Sequence, residues 1–155
     1  MAEQNMEMGK AIYESLCSVL DKMGVHYKKV EDDLVIAFGY KGEDMNHDLI
    51  IAVNVRQEAI QLIEKLPFEI SAERATDVAC AVCYVNDQIL SGKFTYNMED
   101  RLSFEVTQIF TGSLIGEEAL HRMIMTLIIT VENYDDKFMA LNKGYIKVEE
   151  FKRND

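Results

Sequence analysis

The chain has 155 residues, 48% of them apolar and 28% charged, with 27 acidic against 16 basic side chains and a net charge of −11. That length makes one domain, large enough to bury about 70% of its unfolded surface without staples. The acidity repels phosphate backbones and anionic lipid headgroups, which argues against nucleic acid or a membrane surface as partner, and three cysteines, Cys17, Cys80 and Cys83, are too few and too unevenly spaced for a secreted disulfide scaffold.

The N-terminal stretch MAEQNMEMGK has no apolar run, so no signal peptide is expected and the protein is placed in the cytoplasm. A first helix is predicted from about Asn5 to Met23, where Met8, Ile12, Leu16, Val19, Leu20 and Met23 recur at three- and four-residue spacing. Gly24 supplies the left-handed stop. The period then drops to two. His26 to Val30 and Leu34 to Tyr40 read as strands joined at Glu31-Asp32-Asp33, and Leu49 to Val55 reads as a third strand after the loop from Lys41 to His47. Ile60 to Leu66 alternates as a fourth strand would, although Gln57-Glu58-Ala59 also suits a helical turn.

Ser71 is a good N-cap, with Glu73 in the first turn where the helix dipole favours an acid. The helix it opens is predicted to run to about Ile89. Lys93 to Asn97 and Arg101 to Phe110 form a hairpin around Asn97-Met98-Glu99-Asp100. A last helix is predicted from Glu117 to Asn142, stopped by Gly144. Residues 1–144 make a single domain, and 145–155 a charged tail without fixed structure along part of its length. Strands and helices do not alternate, so the expected fold is α+β: an antiparallel sheet of five or six strands with three helices packed on it, in the order α-β-β-β-(β)-α-β-β-α.

The middle helix carries a second message. Val78 to Val85 is eight apolar residues in a row, which covers every direction around the helix axis. A helix resting on a sheet needs only an apolar stripe. This one needs a second cover, from another helix of the chain or from a copy of itself, and a twofold dimer is the economical solution for so short a chain. Val78, Ala81, Val82 and Val85 are the expected self-association or partner face.

Sites for chemistry are scarce. Cys80 and Cys83 form a CxxC, but they fall inside the helix among Val and Ala rather than at its N-terminus, so they are expected to be buried packing residues, and a zinc site lacks a second ligand pair. His47, between Asp44 and Asp48, is expected to be a solvated hairpin-loop residue. His121 and Arg122 follow Glu117 and Glu118 by four residues, as helix-surface ion pairs do. The acidic clusters Glu31-Asp32-Asp33 and Glu132, Asp135, Asp136 lack calcium-loop spacing. No catalytic residue, metal ligand set or cofactor is expected.

The run LPFEISAERATDVACAVCYVNDQILSGKFTYNMEDRLSFEVTQIF resembles the YbjN-like family, which shares the fold of type III secretion chaperones. The matching features are the leucine-proline that ends a strand, the helix closing in Val85-Asn86, Gly92-Lys93-Phe94 at the start of a strand, and an acidic turn before Leu102-Ser103-Phe104. The resemblance covers about Ile12 to Gly144. It implies a small acidic dimer that holds an extended segment of another protein, with no catalytic residues to carry over. The expected function is therefore that of a non-enzymatic regulator, adaptor or chaperone, a homodimer with a protein or peptide client. The alternative is a sensor of a small molecule or metal, using the His47 loop or a pocket near the Cys80 helix.

Overall fold

A computed structural model describes residues 1–30 and 32–154; the expected turn residue Glu31 and the last tail residue, Asp155, lie outside the described residues. Helix α1 (Ala2–Lys22) opens the chain and leads into four strands, β1 (Lys28–Val30), β2 (Val35–Lys41), β3 (Asn46–Asn54) and β4 (Ala59–Lys65). A 3-10 turn at Ala72–Arg74 precedes α2 (Ala75–Gln88). The hairpin β5 (Lys93–Tyr96) and β6 (Leu102–Ile109) follows, and then the long α3 (Glu117–Asn142). The six strands form one antiparallel sheet in the order β1-β2-β3-β4-β6-β5. The fold is thus α+β with three helices and six strands, as the sequence predicts, and the ambiguous stretch before Leu66 is strand β4.

All three helices lie on one side of the sheet: α1 packs on β3, α3 on β4 and β6, and α2 on β5. Strand alternation supplies the matching face. On β3, His47, Leu49, Ile51 and Val53 are buried, while Asp48 and Ile50 face solvent. Gly9 lets α1 approach closely, since a Cβ there would stand 2.7 Å from Val55 Cγ2. A chain of aromatic contacts runs through the far end of the core. Phe94 packs, with its ring tilted, against Phe104 at 4.8 Å and Phe138 at 5.0 Å, and Phe138 meets Phe151 at 5.1 Å.

Two expectations need correction. Strand β3 begins at Asn46 rather than Leu49, because the Gly42 N–H donates to the Met45 carbonyl at 2.8 Å and the hairpin closes early. The charged tail is also anchored. Its Val148–Phe151 segment is a 3-10 turn that packs against α2, and Phe151 is buried in the core. Gln88 Nε2 donates to the Phe151 carbonyl at 2.7 Å, and the Lys137 ammonium sits 4.7 Å above the Phe151 ring.

Side-chain amides tie α2 in place. Ser71 does not cap the helix with its hydroxyl. Its N–H and Oγ–H both donate to Asn142 Oδ1, at 2.9 and 3.2 Å, while Asn142 Nδ2 donates to the Glu69 carbonyl at 2.8 Å. At the other end, Asn86 acts as a strand partner for β5: it accepts from Phe94 N–H at 2.8 Å and donates to the Phe94 carbonyl at 3.0 Å. Among the described residues, no helix is long and apolar enough to cross a membrane.

Candidate functional site

The buried polar groups converge on one point. His47 on β3, Glu64 on β4 and Asp135 on α3 are the buried polar or charged side chains of the described core. Glu64 Oε1 lies 2.5 Å from His47 Nδ1, and Asp135 Oδ2 lies 3.2 Å from His47 Nε2. Tyr40, on β2, stacks its ring on the imidazole with centroids 4.9 Å apart and donates its hydroxyl to Glu64 Oε2 at 2.7 Å. Gly42 leaves room for this packing, since a Cβ there would meet Glu132 Oε1 at 2.7 Å and the His47 ring at 3.0 Å.

Burial sets the charge balance of the cluster. Loss of solvation pushes the Glu64 carboxyl up from its usual range. The Tyr40 hydrogen bond and His47 oppose this, and Asp135 adds to it. The same burial, with Glu64 as neighbour, pushes the Tyr40 phenol up as well. His47 Nδ1 and Nε2 and Glu64 Oε1 are within ion-pair reach but lack straight hydrogen-bond alignment. A buried pair of this kind adds little net stability, yet removing one member strands the other. The cluster joins three neighbouring strands to α3, and the His47 and Glu64 side chains are fully buried.

The structure thereby corrects the reading of His47 as a solvated loop residue. Strand β3 starts before it, and its side chain points inward. Glu64 was missed as a site residue, although both positions carry a signal. Leu49-Ile51-Val53 on β3 and Ile60-Leu62 on β4 set an inward period of two, and the same period extended to His47 and Glu64 points both polar side chains into the core.

Of the expected partner face, Val78, Ala81 and Val85 are fully buried in the chain's own core, and Val82 is half-buried. Cys80 and Cys83 are exposed, not buried, while Cys17 is buried. The four-residue step explains the difference. The inward side of α2 takes positions 78, 81 and 85, which turns Thr76, Cys80, Cys83 and Asp87 outward as a stripe, flanked by half-buried Ala79 and Val82. The two ion pairs expected on α3 do not form. Glu117 pairs instead with Lys22 of α1 at 3.0 Å, and His121 and Arg122 have no acidic partner among the described residues.

Among the described residues, the other side of the sheet carries no helix. At its centre the register aligns Ala37, Ile50 and Ile63 across β2, β3 and β4, with Val35 and Ala52 in the next row. Ile50 is 46% exposed, and Val30 on the edge strand β1 is 44% exposed. Gly39 and Asp48 face each other beside this patch, next to a shallow groove that includes His26 and Lys28.

A family model for YbjN, described as a "putative bacterial sensory transduction regulator", matches residues 13–140. The chain belongs to the YbjN family. Among solved structures, the crystal structure of YbjN from E. coli, described as a "putative transcription regulator", is similar with a TM-score of 0.58 and 11% sequence identity; the match covers 81% of this chain and 92% of that one. At that identity the likeness is one of fold. No curated protein matches.

Proposed function

We propose that the chain is a non-enzymatic, cytoplasmic regulator that acts by holding an extended segment of another protein, on the plan of a secretion chaperone, and that it works as a homodimer. The observation that carries this reading is the uncovered side of the sheet. A sheet with helices on one side leaves its other side to solvent, and that side is ordinarily polar. Here its centre is the apolar group Val35, Ala37, Ile50, Ala52 and Ile63. An extended segment with apolar residues at alternate positions fits such a surface, and basic flanks would suit a molecule of net charge −11. The description of the family as regulators agrees with binding rather than turnover.

The test is a tagged purification from the native host at low salt, run in parallel with the wild-type chain and Ile50→Lys. Ile50 is half-exposed, so the variant should keep the wild-type melting temperature. A stoichiometric companion present on the wild type and lost from the variant is the expected result. Recovery of the wild type alone, or a companion that the variant retains, overturns binding at this surface.

A further inference from the structure

On the helical side, a groove of about 440 Å³ lies between α3, the turn after α2 and the end of β6. Its long wall is a row on α3: Arg122, Thr126 and Thr130, spaced by four residues and therefore stacked on one helix face. The opposite wall brings Ser91 and Gln108, and the apolar floor is Met123 and Ile89.

Two features set this groove apart. It has no carboxylate in its lining, in a chain with 27 acidic residues. Four other surface grooves each carry at least one: Glu117 and Glu118, Asp33, Asp48, and Glu69 respectively. Apart from Gln108, whose side-chain amide donates to the Ile109 carbonyl at 3.5 Å, its polar groups are also unspent. Among the described residues, Arg122 has no ion pair even with Glu118 one turn away, and neither threonine hydroxyl bonds back to the helix, as a mid-helix threonine can.

We propose that this groove binds a medium-chain organic monocarboxylate. The planar Arg122 guanidinium offers a two-pronged grip on a carboxylate, the threonine and serine hydroxyls complete its hydrogen bonds, and Met123 and Ile89 take the aliphatic part. A single guanidinium balances a single charge. A phosphate dianion would leave one charge uncompensated within the strongly negative field of the protein. The groove is on the helical side, away from the open face of the sheet, so this proposal and the client-binding reading stand or fall separately.

Octanoate, octan-1-ol and inorganic phosphate, titrated into the full chain and followed by amide chemical shifts, form the test. Octanoate should give saturable shifts confined to residues 89–91, 108 and 119–130. Arg122→Gln, which alters an exposed residue, should weaken that binding by about tenfold or more while leaving the remaining spectrum intact. Thr126→Val should weaken it less. Octan-1-ol binding as well as octanoate would reduce the site to an apolar groove and overturn the proposal. So would phosphate binding more tightly, shifts that map elsewhere, or no saturable shifts with octanoate.

Discussion

Glu64 is the residue on which the core chemistry turns. Its folded-state carboxyl is raised, chiefly by burial, so the folded protein keeps a proton that the unfolded chain releases. Stability from this group is complete below the unfolded-chain value and declines as pH rises through the raised folded value. Glu64→Gln keeps the shape and the acceptor for Tyr40 but has nothing to ionise. In urea unfolding from about pH 4 to pH 8, the variant should therefore gain on the wild type as pH rises, then hold a constant lead. A lead that is flat across the range, or that shrinks upward, would show that the Tyr40 and His47 contacts outweigh desolvation. His47→Ala should be harsher and costly at every pH. It leaves Glu64 and Asp135 facing each other across a gap without the imidazole between them, and each buried polar group left without a partner costs about 1–3 kcal/mol.

At the scale of elements, most of the fold was legible and the failures have physical causes. Helix α3 runs from Glu117 to Asn142 and stops before Gly144, as expected, and the hairpin of β5 and β6 turns where Asn97 offers its side-chain oxygen to the N–H groups of Glu99, Asp100 and Arg101. Local chemistry settles such features. The end of the chain was misread because its composition is charged while its one decisive residue, Phe151, owes its position to a distant aromatic group on α3. The His47–Glu64–Asp135 cluster was misread for a related reason: three residues far apart in sequence meet only after the register of β3 and β4 is set. Phe151 carries a prediction of its own. Phe151→Ala removes a fully buried ring that closes α2 against α3, and should cost about 3 kcal/mol of unfolding free energy, with α2 loosening first. Denaturant unfolding together with amide exchange on residues 75–88 reads both effects. An unchanged midpoint would mean that the segment rests on α2 without supporting it.

For the whole molecule, assembly through α2 centres on the outer stripe of that helix. The inward residues Val78, Ala81 and Val85 are already covered by the chain itself, so a dimer through this helix must meet at Thr76, Cys80 and Cys83, with Ala79 and Val82 at the margin and Asp87 at the C-terminal end of the stripe, outside the contact. These side chains are short, which allows two helices to approach closely. Each copy also carries −11, so association works against mutual repulsion and should strengthen as salt screens it. The cysteines report on this directly. In dilute protein, Cys80 and Cys83 should react quickly with a thiol reagent while buried Cys17 reacts slowly. Raising either the protein concentration or the salt should protect the fast pair in step with the appearance of dimers in sedimentation. Cys83→Glu, which places a charge on an exposed position, should leave a folded monomer because a carboxylate in the helix–helix contact is costly to desolvate. A dimer that persists in this variant, or whose Cys80 and Cys83 stay freely reactive, must assemble through another surface, and the apolar patch around Ile50 is then the next place to introduce a charge.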